Sequence, residues 1–205
     1  MARRDPEPGA VGGQIALPEP TKSGGRPLME VFAARMSCRE FAPRDLEPGI
    51  LSDLLWAACG INRHDGLRTA PSAHNWQGVD VYLAMARGLF LFDPCRAQLR
   101  PILGEDIRAL TGLQDFVGSA PLNLIYVADL ARMGNVADRD EQRFYSALDT
   151  GVIAENVYLF CASAGLGTVV RGLVDRRALA LRMGLRPAQR VIAAQTVGYP
   201  ADQAM

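Results

Sequence analysis

The stretch from Arg68 to Gln77, RTAPSAHNWQ, concentrates polar side chains of several kinds within ten residues. It carries hydroxyl, imidazole, carboxamide and guanidinium groups, and it has no acidic residue. Proline, serine and asparagine also break periodic structure in ordinary loops, for local steric and hydrogen-bonding reasons. A dense set of donors and acceptors without a carboxylate nevertheless suits a flat ligand with polar edges. We therefore take this loop as the first candidate for a binding site.

A second candidate is the segment RMSCRE, in which Arg35, Ser37 and Arg39 occupy alternate positions. If the chain is extended there, all three side chains share one face. Two guanidinium groups and a hydroxyl on one face would form a cluster of the size of a phosphate group. The same residues could instead be the solvated basic end of a helix, where cations interact favourably with the helix dipole. From this segment alone both interpretations stay open.

Several other kinds of chemistry find no support in the sequence. The glycines in GLGTVVRG follow a helical pattern and precede an extended one, which is the reverse of a dinucleotide-binding turn. Ser72 and His74 are close in sequence but lack a placed acid for hydrolysis. The four cysteines form no C-x-x-C pair and predict structural thiols in a reducing compartment. No metal site is expected.

Composition limits the partners further. The 205 residues suit a single domain, and 22 basic residues balance 22 acidic ones. A chain without net charge has no bulk field to attract nucleic acid or an anionic membrane surface. No apolar run is long enough to span a bilayer, and the amino end has no hydrophobic segment typical of a secretion signal. We therefore expect a cytoplasmic protein with neither partner.

The pattern of the elements places the two candidate segments. Residues 1–26 are rich in proline and glycine and predict an extended arm, and residues 27–205 predict one domain. Helical spacing begins at Leu28 and recurs in EPGILSDLLWAACGI, which Gly60 should end. The segment VDVYLAMARGLFLFD predicts two short strands that turn at Arg87-Gly88. The loop from Arg68 to Gln77 should therefore join a helix to a strand.

The second half of the chain predicts the centre of the fold. LNLIYVAD is a near-continuous apolar run that indicates a strand buried on both faces. The segment from Asp138 to Gly165 predicts a long helix that is apolar nearly all round, which suggests burial by something beyond its own domain. TVVRG, VDRRALALRMG and RVIAAQTVGYP then predict a strand, a helix and a closing strand. The whole indicates helices packed on a small mixed sheet.

Five motifs in this order, RMSCREF, LLWAACGINR, RTAPSAHNWQ, DTGVIAENVYLFCASAGLGTVVRG and TVGYP, resemble the nitroreductase superfamily of flavin mononucleotide (FMN) enzymes. The resemblance runs from Leu28 to Pro200, and IALPEP and LLWAACGINR look most like the branch with dehydrogenases of azole-forming peptide pathways. It implies an α+β, nitroreductase-like fold: a small mixed, mostly antiparallel sheet surrounded by helices, with a long buried central helix at a homodimer interface. Members of the superfamily hold two flavins at that interface.

The resemblance also implies which residues bind FMN. One group holds the phosphate, the ribityl chain and the pyrimidine edge, a second reaches the ring from the neighbouring subunit, and a third is a strand whose backbone faces the reactive nitrogen. The N–H of Gly172 or of a neighbour is the expected donor to that nitrogen. The three groups are Arg35, Met36, Ser37 and Arg39; Pro71, Ser72, Ala73, Asn75 and Gln77; and Val169, Val170, Arg171 and Gly172.

One departure concerns the phosphate. The superfamily commonly places a basic residue shortly after the last strand, whereas here GYP is followed by ADQAM. The expectation is that Arg171 or another arginine takes over this contact, or that the flavin is bound more weakly.

The reaction implied by the resemblance is hydride transfer from NAD(P)H through FMN to an electron-poor acceptor such as a nitroaromatic or a quinone. The cofactor carries the chemistry, so no catalytic side chain is expected. Two alternatives stay open. One is a flavin dehydrogenase that acts on a specialised, peptide-like substrate with oxygen as acceptor, and the other is a flavin-binding module without turnover.

Overall fold

The computed structural model describes residues 13–134, 136 and 138–201, and within them the chain folds as seven strands and four α-helices. Most of the elements predicted from the sequence are found. The first twelve residues of the predicted arm lie outside the described residues. The elements are β1 Ile15–Ala16, α1 Leu28–Ala34, α2 Pro48–Cys59, β2 Val79–Met85, β3 Gly88–Asp93, β4 Gln98–Leu103, β5 Leu122–Asp129, α3 Arg139–Ala164, β6 Gly167–Arg171, α4 Arg176–Arg182 and β7 Gln189–Gly198.

The strands form one open sheet in the order β1-β4-β3-β2-β5-β7-β6. Every pairing between described strands is antiparallel. The α+β class and the mostly antiparallel sheet surrounded by helices are therefore confirmed, and the described strands include no parallel pair.

The centre of the sheet is β5, whose eight residues are all buried. Alternate side chains point to opposite faces, so Leu124 and Tyr126 join a core cluster with α2 and α3, whereas Ile125 and Val127 join a second cluster with α4. This confirms the prediction of a strand that is buried on both faces.

The long helix α3 has the predicted ends. The Asp138 carboxylate accepts a hydrogen bond from the Asp140 N–H at 2.7 Å, and Gly165 ends the helix with a left-handed φ of 70°. One side of α3 packs into the core. On the other side Phe144 and Leu148 are 62% and 49% exposed in the single chain. An apolar surface is therefore left over, which is the feature that suggested burial by another molecule.

Strands β1 and β4 were not predicted, although β3 and β4 pair over most of their length. The sequence QLRPIL does not predict β4, because a proline cannot donate a backbone hydrogen bond to a neighbouring strand and therefore argues against a central strand. Pro101 is accommodated because β1 pairs only with Gln98 and Leu99, so that the outer edge at Pro101 has no partner in the described sheet. This edge position explains why the pattern failed.

The described part of the predicted arm is extended but lies against the domain. Ile15 pairs with Leu99, and the Ser52 hydroxyl donates to the Pro18 carbonyl at 2.6 Å. The Thr21 N–H donates to an Asp53 carboxylate oxygen at 2.6 Å. Residues 15–21 are thus held by the edge of the sheet and by α2. Among the described residues, no helix has the length and hydropathy that crossing a membrane requires.

Candidate functional site

Helix α3 supports both candidate segments, at two different places. The segment from Arg35 to Arg39 contacts Tyr158, and the loop from Arg68 to Gln77 contacts Asp149. These two helix residues are nine positions apart, which corresponds to about 13 Å along the axis at roughly 1.5 Å per residue. Within one chain, the two predicted halves of the site are therefore anchored well apart.

The first segment is extended, as one of the two interpretations of RMSCRE required. Helix α1 ends at Ala34, and Arg35 has φ −59° and ψ 120°, outside the helical region. The Cys38 N–H donates to the Thr168 carbonyl at 2.9 Å, which ties the segment to β6. The interpretation as a basic helix end is therefore wrong from Ser37 onward, because the helix stops before these residues.

Three parts of the chain meet at the buried phenol of Tyr158, which is 7% exposed. Its oxygen lies 3.0 Å from the Ser37 hydroxyl oxygen and accepts the Val170 N–H at 3.0 Å. The guanidinium carbon of Arg35 lies 5.3 Å from the centre of the Tyr158 ring, within the range of a cation–π contact. The structure thus brings together two predicted phosphate-binding residues and one residue of the predicted flavin-facing strand.

The guanidinium groups of this segment have no acidic partner. Within residues 13–134, 136 and 138–201, no carboxylate oxygen lies within 4.0 Å of a guanidinium nitrogen of Arg35 or Arg39. Arg39 and Met36 are exposed, and Met36 reaches 65%. The Arg35 guanidinium and the Ser37 hydroxyl, which meet at Tyr158, form a donor set that suits a phosphate group.

A groove of about 820 Å³ lies beside this segment and includes Met36 and Cys38 in its lining. The volume falls within the range of roughly 300–1,000 Å³ that is usual for ligand sites. Arg26 and Arg44 also line it, but Arg44 is paired with Glu47. Arg26 Nε lies 3.7 Å from a Glu30 carboxylate oxygen, so both arginines that line the groove already have an acidic neighbour.

The second segment has a strained backbone. His74, Asn75 and Gln77 have φ values of 48°, 54° and 48°, in the left-handed region that side chains with a Cβ rarely adopt. Such residues cost about 1–3 kcal/mol each and persist only where the surroundings hold them. The contacts of the loop must therefore hold its backbone in this conformation.

Those contacts are hydrogen bonds within the loop and to α3. The Ser72 hydroxyl accepts the Gln77 N–H at 2.9 Å, and the Gln77 side chain donates to the Gly66 carbonyl at 3.1 Å. The Ala73 N–H donates to an Asp149 carboxylate oxygen at 3.0 Å. Ser72, Ala73 and Gln77, which the sequence placed in the site, thus already hold the loop in the single chain.

Asp149 is an acid in the core, with 3% of its surface exposed. Burial raises the pKa of its carboxyl group, and the hydrogen bond from Ala73 opposes that shift. Its second carboxylate oxygen has no hydrogen-bond partner among the described residues. The anchor of the second segment is therefore an incompletely satisfied carboxyl group.

Two residues of the loop that had no assigned role form an aromatic cluster with the start of α3. The His74 and Trp76 ring centres are 4.6 Å apart, and Tyr145 lies 5.5 Å from Trp76 and 6.1 Å from His74. The cluster fastens the loop to the first turns of the helix.

Strand β6 divides the third predicted group between its two faces. Val169 is buried, whereas Val170 is 39% exposed and Gly172, directly after the strand, is also exposed. A Cβ added at Gly172 would come no closer than 3.8 Å to any other atom, the nearest being in the Arg176 side chain. A ligand could therefore approach the backbone at Gly172, while the Val170 N–H is already bonded to Tyr158.

Arg171 corrects one expectation, because its guanidinium group lies in the core and not at the phosphate. It donates to the Thr111 carbonyl at 2.8 Å, the Asn123 side-chain oxygen at 2.9 Å and the Thr196 hydroxyl at 3.0 Å. The residue is 4% exposed, and burial lowers its pKa to about 10. Arg171 is still charged at neutral pH and is committed to internal acceptors, so it does not supply the missing phosphate contact.

Sequence reasoning missed the two anchors on α3. Tyr158 and Asp149 stand in the apolar stretch SALDTGVIAENVYLF, where they break the run of aliphatic side chains. Polar groups in a buried helix need internal partners, and that need is the signal that could have identified them.

Comparisons with known proteins point to one family. The family model described as "Nitroreductase family" matches residues 32–199. Two proteins named as putative nitroreductases are similar over most of the chain. MJ1384 of Methanocaldococcus jannaschii is 34% identical over 156 residues, covering 71% of this chain and 78% of its own length. A crystal structure from Ralstonia eutropha JMP134 is 44% identical with a TM-score of 0.89, covering 99% and 98%.

More distant structures share the fold alone. The NADPH:FMN oxidoreductase of Vibrio harveyi, solved with NAD⁺, is 21% identical with a TM-score of 0.64, covering 85% of this chain and 69% of that one. The Escherichia coli microcin synthetase McbBCD complex is 18% identical with a TM-score of 0.69, covering 80% and 68%.

Proposed function

The chain belongs to the nitroreductase family of oxidoreductases, and from that premise we propose that it binds FMN and transfers hydride from NAD(P)H through the flavin to an electron-poor acceptor such as a nitroaromatic or a quinone. The distant NADPH:FMN oxidoreductase of the same fold supports the choice of cofactor and reductant.

The observation that carries the proposal is the cluster at Tyr158. Arg35 and Ser37 meet there beside β6, and the described part of the chain places no carboxylate within ion-pair distance of the Arg35 guanidinium. FMN ends in a phosphate, which is the group that guanidinium forks and hydroxyl donors bind well. The residues present therefore fit the cofactor at its charged end.

The remaining half of the site supports a homodimer. Pro71, Ser72, Ala73 and Asn75 belong to a loop anchored about 13 Å away along α3, so we propose that the loop of a second copy completes each site. Exposed apolar side chains on α1 and α3, such as Phe32 at 50% and Phe144 at 62%, form a surface that a second copy would cover.

In the proposed reaction the flavin supplies the capacity to accept and donate hydride. The chain's own residues bind and orient. Arg35 and Ser37 would hold the phosphate, and Arg39 would supply a cation to the pyrimidine edge, which would favour negative charge on the ring. The exposed backbone at Gly172, directly after β6, would leave room for the ring.

The test is an anaerobic absorbance titration of purified protein loaded with FMN. We expect NADH or NADPH to bleach the flavin and a quinone or a nitroaromatic to restore its colour. If FMN binds but neither NADH nor NADPH reduces it, NAD(P)H is not the hydride donor. A peptide-like substrate or a non-catalytic role would then be favoured. Protein that cannot be loaded with FMN would contradict the proposal as a whole.

A further inference from the structure

We propose that Tyr158 is a positioning residue that makes the site select phosphorylated flavin over riboflavin, by turning the Ser37 hydroxyl proton and the Arg35 guanidinium toward the phosphate. The inference rests on the proposed function, and it assigns a role to a residue of α3 that the sequence did not single out.

The direction of the hydrogen bonds follows from the groups involved. A backbone N–H can only donate, so the bond of 3.0 Å from Val170 fixes the Tyr158 oxygen as an acceptor. The phenol still has one proton to donate, and Ser37 Oγ lies 3.0 Å away. A chain of bonds from Val170 through Tyr158 to Ser37 therefore uses the phenol as both acceptor and donor.

The opposite direction for the second bond is less favourable. If Ser37 donated to Tyr158, the phenol would accept twice and its own proton would have no acceptor among the described residues. Tyr158 is 7% exposed, and a buried donor without a partner is costly. The phenol therefore donates to Ser37, which leaves the serine proton free for a ligand.

The same ring places the neighbouring cation. The Arg35 guanidinium carbon lies 5.3 Å from the ring centre, so the ring face limits the positions that this long side chain can take. A phenol that orients both a hydroxyl donor and a cation acts on one chemical group of the ligand, the phosphate. Riboflavin has the same ring and ribityl chain but lacks that phosphate.

The experiment measures dissociation constants for FMN and for riboflavin by quenching of flavin fluorescence. Tyr158→Phe and Ser37→Ala are each expected to weaken FMN about tenfold and to leave riboflavin within about twofold, as for the loss of one hydrogen bond to a charged group. The double variant should be no weaker than either single one, because the two residues act through one bond.

Tyr126→Phe is the matched control. It also removes a buried phenol hydroxyl, which donates to Gln195 at 2.5 Å in the core. We expect this variant to lose stability but to keep the wild-type ratio of FMN to riboflavin affinity. That outcome would separate the role of Tyr158 from the general cost of removing a buried hydroxyl.

The outcomes separate this inference from the proposed function. Wild-type protein that binds neither flavin would overturn both. Wild-type protein that binds FMN, with Tyr158→Phe weakening the two flavins equally or adding to the effect of Ser37→Ala, would overturn the role of Tyr158 alone. If Tyr158→Phe does not fold, the Ser37 variants decide. Loss of the FMN preference in Ser37→Ala but not in Ser37→Thr supports the inference, and an unchanged preference in both overturns it.

Discussion

The segment from Arg35 to Arg39 and the loop from Arg68 to Gln77 are both anchored on α3, but they use their polar groups in opposite ways. The first is extended and is held by a phenol, and its two guanidinium groups have no acidic partner among the described residues. The second has left-handed residues, is held by a buried carboxyl group, and uses its own donors and acceptors internally.

The two segments show that one fold can position candidate binding residues in two different ways. In the first segment the fold positions charges and leaves them for a ligand. In the second segment, the hydrogen bonds within the loop and to α3 hold the backbone in one conformation. Mutations should therefore separate affinity from stability, with ligand binding sensitive in the first segment and folding sensitive in the second.

The largest effect is expected in β6, to which the first segment is tied. Arg171→Met would leave the Thr111 carbonyl without its donor and would remove one hydrogen bond each from the Asn123 side chain and the Thr196 hydroxyl, which still bond each other. The unsatisfied carbonyl costs about 1–3 kcal/mol and the two other lost bonds add to that cost, so the free energy of unfolding should fall by roughly 3 kcal/mol. Urea unfolding checks this. Arg96→Ala, an exposed arginine paired with Asp93 near the other edge of the sheet, is the control.

The next effect tests the first segment. Arg35→Ala should weaken FMN binding by about 10–100-fold, because it removes a charge-assisted contact of roughly 1.5–3 kcal/mol. The free energy of unfolding should change by less than about 0.5 kcal/mol, as is usual for surface substitutions. Fluorescence titration and urea unfolding of the same samples check both. An unchanged affinity, or a large loss of stability, would remove the contrast between the two segments.

The third effect tests the second segment. Asp149→Ala leaves the Ala73 N–H without its acceptor, and the free energy of unfolding should fall by about 1–3 kcal/mol. Asp149→Asn keeps an oxygen for that bond and should retain most of the stability. Glu155→Ala removes an exposed acid from the same helix and serves as the control. Equal losses in the alanine and asparagine variants would show that the hydrogen bond is not the anchor.

The smallest effect is the pH dependence of the second anchor. Burial raises the pKa of Asp149 in the folded state above its unfolded value of about 3.9. Its contribution to stability is therefore complete below about pH 4 and is lost as the pH rises through the raised folded pKa. The Asp149→Asn variant has no carboxyl group to titrate at this position. Between pH 4 and pH 7 the free energy of unfolding of the wild type should therefore fall relative to that of this variant. Parallel unfolding curves across this window would contradict the raised pKa.

Much of the fold followed from local pattern. The buried strand β5, the turn between β2 and β3 and the ends of α2 and α3 were all predicted, because apolar periodicity, Gly60 and Gly165 act over a few residues. Strand β4 was not predicted because it contains Pro101, which has no backbone N–H. Whether that loss matters depends on whether a neighbouring strand pairs with the chain at this position.

The candidate site was predictable only in part. The alternation of Arg35, Ser37 and Arg39 could be read from sequence, but Arg171 and Val170 look equally available in TVVRG. Which of them points inward depends on which face of β6 is covered, and that is a property of the packed sheet. An arginine in the core is unexpected from sequence, since charged residues are rarely buried unless their donors are satisfied.

The sequence alone determined the identity of most elements and the residue types at each candidate segment, because these depend on neighbours along the chain. Tertiary structure alone decided what those residues do. Tyr158 meets Ser37 across 121 residues, and Asp149 meets Ala73 across 76. Contacts between residues so distant in sequence exist only once the whole core has packed, so no local pattern encodes them.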